Sequence, residues 1–194
     1  MQILLKDLLK EVTTDVTTES PLKIQIYVDM DGVLADMEKG FMALSNGLSP
    51  SEYTNKNGKG SFWKLVNTKK DFWVSLEPMP DAKVLWSFLV ENFKDPVPVV
   101  LTAGQGASIS TQKNQWMQKH FGPGIKVILA SAGPKKPDYI IKTPETDGKY
   151  VTHVLVDDTQ KNIDAWNNTA LHRIAIHHKN AAQSIKALQP FISK

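Results

Sequence analysis

Apolar positions change their period several times along this chain, and the changes predict its elements. Ile3, Leu4, Leu5, Leu8, Leu9 and Val12 recur at helical spacing, and the polar tract TTDVTTES follows as a linker. Ile24 to Asp29 then reads as a strand. Asp81 to Phe93 returns to a helical period, with Val84, Leu85, Phe88 and Leu89 on one side. VPVVLT (97–102) is a strand, Ser108 to His120 a helix stopped by GPG, and KVILA (126–130) a strand. THVLVDD (152–158) is a strand, Thr159 to Asn167 a helix, HRIAIH (172–177) a strand, and Asn180 to Leu188 a closing helix. Strands alternating with helices predict a three-layer α/β fold around a parallel sheet, with right-handed crossovers.

Residues 37 to 80 break the rhythm. They hold a polar loop, SNGLSPSEYTNKNGKG, two aromatic pairs, Phe62-Trp63 and Phe72-Trp73, and a closing Pro78 and Pro80. This is the pattern of a small helical insertion after the first strand. The predicted organisation is an N-terminal helix and linker over 1–20, a core over 21–36 and 80–194, and a helical cap over 37–79.

Composition narrows the picture only slightly. The chain has 194 residues, 41% hydrophobic and 22% charged, with a net charge of +3. Those are ordinary values for a globular protein with a sizeable core. Cysteine is absent, which excludes disulfides, thiolate catalysis and Cys-ligated zinc and fits a reducing compartment. The charged N-terminus does not read as a signal peptide, and no stretch has the length of a membrane span, so a cytoplasmic protein without membrane contact is expected. Arg173 is the single arginine, so bidentate clamps on phosphate are scarce. The longest basic runs are lysine pairs, and no basic stripe suggests a duplex-binding face.

The chemistry concentrates at strand ends. The first strand runs into Asp29, Asp31 and Gly32; the second ends at Thr102; the fourth ends at Asp157 and Asp158. Ligands bind beyond the carboxyl ends of parallel strands, so adjacent strands would gather four carboxylates near one point. Such a cluster needs a cation, and all-oxygen ligation favours a hard one, Mg²⁺. Gly32 lets the chain turn sharply there. Taken singly, each motif is also a common polar turn, helix cap or strand end. The ordered set, with a lysine-bearing loop between Thr102 and Asp157, is what points to function.

The quoted segments VDMDGVLADM, FWVSLEPMPDA, VVLTAG, KNQWMQKHFGP and VLVDDTQKNIDAW resemble the motifs of the haloacid dehalogenase (HAD) superfamily of phosphatases. Within it they resemble the 5'(3')-deoxyribonucleotidase group and its phage and bacterial relatives, over about residues 24 to 190. The resemblance implies a HAD-like, Rossmann-type sheet with an inserted cap. It implies a Mg²⁺-dependent phosphomonoesterase working through an aspartyl-phosphate, with nucleoside monophosphates as substrates. Asp29 would be the nucleophile and Asp31 the acid and base. Asp29, Asp31 (through its carbonyl) and Asp157 would hold Mg²⁺, with Asp158 behind them. Thr102 and the amides near Ala103 and Gly104 would bind phosphoryl oxygens together with a lysine, Lys136 in preference to Lys135, because Lys136 stands three residues before Tyr139. Met37 occupies a position that these enzymes usually give to an aromatic residue.

Other residues have competing readings. Asp36 is read as a helix cap. Met37, Phe41, Trp63, Phe72 and Trp73 are candidates for a base pocket, against the alternative of a cap core. His177 and His178 are adjacent in a strand, point to opposite faces and are not read as a metal pair. His120 and His153 carry no partner signal, and Trp116 and Trp166 read as core. Alternatives to the nucleotidase are a phosphatase of sugar phosphates, a 3'-phosphatase of nucleic acid ends, and a catalytically idle module docking through its N-terminal helix. The missing basic stripe counts against the second of these. The same helix leaves room for a homodimer contact.

Overall fold

A computed structural model of the chain describes residues 23–141, 151–168 and 172–192. The helix and linker predicted over 1–20 lie outside the described residues. Five strands form one parallel sheet: β1 Lys23–Val28, β2 Val99–Ala103, β3 Val127–Ala130, β4 Val151–Asp157 and β5 Arg173–His177, in the order β3-β2-β1-β4-β5. The order reverses at β1, whose Val28 is in register with Val100 on one side and Val156 on the other. That reversal opens a crevice at the carboxyl ends of β1, β2 and β4.

Near-continuous apolar runs in β1, β2 and β4 are what a sheet covered on both faces requires. Alternate residues serve opposite faces. Ile26, Val28, Val100, Val154 and Val156 pack with Leu85, Leu89, Trp116, Met117, Ala181 and Leu188. Tyr27, Val99, Leu101 and Leu155 pack with Trp166. The helices of the first face are α4 (Ala82–Asn92), α5 (Ala107–Phe121) and α7 (Ala181–Leu188), and α6 (Gln160–Asn167) covers the second. This gives the expected three layers. Strand and helix limits differ from the sequence reading by one or two residues, because caps such as Asn180 stand just outside their helices.

Between β1 and α4 lie three short helices, α1 Met37–Leu44, α2 Pro50–Asn57 and α3 Ser61–Val66. Asp36 caps α1, accepting from the Lys39 amide, and Ser49 with Glu52 forms a capping box on α2. The two links to the core are joined: Asp36 N–H donates to Glu77 O (2.8 Å) and Met79 N–H to Leu34 O (2.8 Å). Phe41, Val66, Phe72 and Trp73 belong to the same cluster as the first sheet face, so the inserted segment packs continuously with the core. No helix among the described residues is long and apolar enough to cross a membrane.

Candidate active site

At the end of β1 the Asp29 amide makes a further ladder bond to Val156 O (2.9 Å), while its carboxylate turns to accept from the Met30 amide (Oδ1, 2.7 Å). The chain then folds back tightly, Leu34 and Ala35 both donating to Met30 O. Gly32 allows this turn for two reasons. Its φ is +79°, and a Cβ there would stand 2.3 Å from Asp158 Oδ2. The glycine thus brings the first and fourth strand ends into contact.

Carboxylate oxygens of Asp29, Asp157 and Asp158 lie within 4.8 Å of one another. Lys136 reaches into them from the 3₁₀ segment Gly133–Tyr139. Its ammonium, fully buried, stands 2.7 Å from Asp29 Oδ2 and 2.5 Å from Asp157 Oδ2. Lys135 is exposed, so the two adjacent lysines have different surroundings. Asp157 is held on every side: Oδ1 accepts from the Thr159 amide (2.9 Å), and Asn162 Nδ2 reaches both oxygens (3.0 and 3.1 Å). Asn162 also closes on the lysine segment, since a Cβ on Gly133 would meet Asn162 Oδ1 at 2.3 Å.

Asp31 faces another way. Its Oδ2 accepts from Lys113 Nζ at 2.6 Å, and its Oδ1, which is buried, has no partner among the described residues. Lys113 is fully buried in α5 and donates as well to Thr102 Oγ1 (2.7 Å) and Ala103 O (3.0 Å), with the Trp73 ring 4.5 Å away. Sequence reasoning gave Lys113 no role, although it stood in a quoted segment. The available signal was its position three and four residues before buried Trp116 and Met117, a lysine on an apolar stripe.

Burial pushes the Asp29 carboxyl up to about 8, with Asp157 and Asp31 adding to the rise and Lys136 opposing it. Burial also raises Asp158, and Asp157 adds to that. Burial works against a charged Lys136, but Asp29 and Asp157 outweigh it and hold the ammonium above the usual lysine range. Four carboxylates against two ammonium groups leave an excess of two negative charges when all are ionised. A hard divalent cation fits that excess and the all-oxygen donor set. By side chain the set is Asp29, Asp157 and Asp158; the Asp31 carboxylate is committed to Lys113.

Beside this cluster opens a cavity of about 700 Å³ lined by Trp63 and Asn67 of the insertion, by Ala103, Gly104 and Gln105, and by Ser131 to Gly133. Of the pocket candidates, Trp63 lines it and is 42% exposed. Phe41 and Phe72 do not: both are buried in the core, Phe41 stacked on Phe62 (4.9 Å) and edge-on to Tyr53 (5.5 Å). Phe41 follows Met37 by four residues on α1, so one helix face carries both, and that face turns inward; Met37 packs on the same cluster. Trp73 is also buried, against Lys113. Trp116 and Trp166 are core. His177 and His178 have separate partners, Asp158 O (2.8 Å) and Ser184 Oγ (2.9 Å). His153, which showed no partner in the sequence, meets the Tyr27 hydroxyl at 3.1 Å.

Over 119 residues the chain is 28% identical to the mitochondrial 5'(3')-deoxyribonucleotidase of Mus musculus, a match covering 52% of this chain and 54% of that protein. The chain thus spans about half the length of the curated relative it matches. No protein-family model matches. Among solved structures, a haloacid dehalogenase-like family hydrolase from Xanthomonas campestris superposes with a TM-score of 0.53 at 10% identity, over 89% of this chain and 97% of the other. A haloacid dehalogenase-like hydrolase from Streptococcus pneumoniae gives 0.50 at 13% identity, over 76% and 81%. At these identities the likeness shows the fold.

Proposed function

We propose that this chain, a haloacid dehalogenase-like protein by fold, is a Mg²⁺-dependent phosphomonoesterase whose substrate is a nucleoside monophosphate. One observation carries the reading. Asp29, Asp157 and Asp158 converge around Lys136, while Asp31 stands beside them with one buried oxygen free.

A carboxylate oxygen of Asp29 attacks phosphorus, and the bond from phosphorus to the leaving oxygen breaks. Asp31 gives its proton to that oxygen. Oδ1 is the atom for this role, because Oδ2 is taken by Lys113. Water then attacks the aspartyl-phosphate, Asp31 takes its proton, and the bond between phosphorus and Asp29 breaks to release phosphate. Splitting the displacement in this way replaces one hard step by two easier ones. Lys136, Thr102 and the amides of Ala103 and Gly104 bind phosphoryl oxygens, and Lys113 keeps the Thr102 hydroxyl and Asp31 in place. Asp29 and Asp157, with the Asp31 carbonyl, would hold Mg²⁺, and Asp158 would stand behind them. The ion, when bound, neutralises the carboxylates and the transferring phosphoryl group.

The nucleotide assignment has two supports. One is the partial similarity to a deoxyribonucleotidase. The other is the cavity, which offers the Trp63 ring for stacking and the amides of Asn67 and Gln105 for hydrogen bonds.

The test is phosphate release from deoxy- and ribonucleoside monophosphates, sugar phosphates and a 3'-phosphorylated oligonucleotide, with Mg²⁺ and with chelator. Release from mononucleotides is expected, lost with chelator and in Asp29→Asn. Equal release by Asp29→Asn would remove the nucleophile. Release from sugar phosphates alone would remove the nucleotide. No release from any substrate would favour a module that only binds.

A further inference from the structure

The cap holds a concentration of charge that the chemistry above does not use. Between Glu52 and Asp71 the chain carries Lys56, Lys59, Lys64, Lys69 and Lys70 and no carboxylate. All five are exposed. Among the described residues, ion pairs form at Lys23, Lys39, Lys113 and Lys136, and none at these five. The whole chain has a net charge of +3, and this limb of the cap, with five lysines and no carboxylate, carries +5 by itself. In the sequence these lysines stand singly or in one pair, with no longer basic run, but all fall between residues 56 and 70.

That unit borders the site. Trp63 and Asn67, between the lysines, line the cavity. Trp63 lies one ring away from Trp73 (6.2 Å), and Trp73 contacts Lys113, which touches Asp31 and Thr102. A half-exposed indole among unpaired lysines provides what an unpaired nucleic acid strand needs: a face for a base to stack on, and charge for its backbone. A duplex offers no free base face, and Trp63 and Asn67 of the insertion line the same cavity as Ala103, Gly104 and Gln105.

We propose that this lysine-rich limb binds single-stranded nucleic acid whose terminal phosphate enters the site, so that the substrate class extends from mononucleotides to phosphorylated strand ends. The extension rests on the phosphomonoesterase reading, but the binding surface is testable apart from it.

The Asp29→Asn protein, which retains the cap, is titrated into a short labelled oligothymidylate with a terminal phosphate, and anisotropy is followed as salt rises. Binding should be at least about tenfold tighter than for thymidine monophosphate. A log–log salt slope of about −2 corresponds to three phosphate contacts. Lys64→Gln, Lys69→Gln and Lys70→Gln together should remove most of the oligonucleotide advantage while leaving mononucleotide hydrolysis by the otherwise wild-type protein unchanged. Trp63→Ala should weaken the oligonucleotide about tenfold. An oligonucleotide bound no better than the mononucleotide, or equally well by the triple-lysine variant, would overturn the proposal. So would equal binding of polyglutamate, which has charge but no bases. A wild-type protein that hydrolyses nothing yet binds the strand through these lysines would remove the phosphatase reading and leave the surface standing.

Discussion

Lys113, fully buried, and Asp31, partly so, form an ion pair, 2.6 Å from ammonium to carboxylate, although they stand 82 residues apart in the chain. The pair uses one oxygen of Asp31 and leaves the other without a partner among the described residues. A lysine from a helix behind the sheet therefore determines which oxygen of the proposed acid is left free of protein hydrogen bonds. It also joins Asp31 to Thr102 through one ammonium.

Replacing Lys113 by Met should therefore cost both rate and stability. Removing one member of a buried pair typically costs about 3–5 kcal/mol, because the other charge is left uncompensated. Asp31 is partly exposed, so the lower end is expected in denaturant unfolding. The double variant Lys113→Met with Asp31→Asn should recover part of the loss. A strictly additive cycle would mean that the two groups do not couple. Phosphate release by Lys113→Met should fall by about 10²-fold, as expected when a positioned acid loses its orientation.

What the sequence revealed, and what it withheld, follows from how each residue is specified. Asp29, Asp31, Thr102 and Asp157 sit at strand ends, and strands are visible as apolar runs, so their gathering could be reasoned from topology. Lys136 was separable from Lys135 only through a resemblance, and the packing now distinguishes them by burial. Lys113 was hidden because its partners are remote in sequence and its helix reads as ordinary. The aromatic residues of the insertion were ambiguous for a different reason. A pocket wall and a small core use the same side chains, and only the packing separates exposed Trp63 from buried Phe41 and Phe72.

The crowding of carboxylates should be visible as a pH effect in the protein kept free of divalent cations. Asp29 is raised to about 8 from 3.8. Above the lower value the unfolded chain has released the proton that the folded one keeps, so this group's contribution to stability falls as pH rises from about 4 to 8. Asp29→Asn removes the contribution. Its stability relative to wild type should therefore increase across that range in chelator. Saturating Mg²⁺ should reduce the difference, since a bound cation lowers the pKa of its carboxylate ligands. A difference that stays flat with pH would refute this account of the cluster.

Asn162 offers a test of how Asp157 is held. Its amide reaches both carboxylate oxygens and its side chain fills the space over Gly133. Groups that orient a ligand typically change metal affinity about 10–100-fold when removed. Asn162→Ala should raise the Mg²⁺ concentration giving half-maximal activity by a factor in that range. The rate at saturating Mg²⁺ should change much less. Loss of rate that no Mg²⁺ concentration restores would instead give Asn162 a place in the chemistry.

The last prediction concerns the far face of the sheet, where Tyr27, His153 and Ile141 form a closed network. The Ile141 amide donates to the Tyr27 hydroxyl (3.0 Å), which stands 3.1 Å from His153 Nδ1. With the Ile141 amide donating to the hydroxyl oxygen, the hydroxyl keeps its own hydrogen to offer Nδ1, and a neutral imidazole is the form that can accept it. Burial keeps it so, pulling His153 down to about 4, with Arg173 and His172 adding to the effect, and burial raises Tyr27 to about 12. A histidine with a lowered folded pKa supports the fold fully above 6.5, its ordinary value, and progressively less as pH falls toward 4, because the unfolded chain takes up the proton first. In the Asp29→Asn background, where the largest opposing carboxyl shift is absent, the His153 contribution should therefore make stability decline from pH 6.5 to 4. His153→Gln should flatten that decline, and Tyr27→Phe should cost about 1–2 kcal/mol at neutral pH by leaving the Ile141 amide and Nδ1 unpaired. If His153→Gln declines as steeply as its parent, the acid sensitivity lies elsewhere, and the imidazole is not the group that takes up the proton.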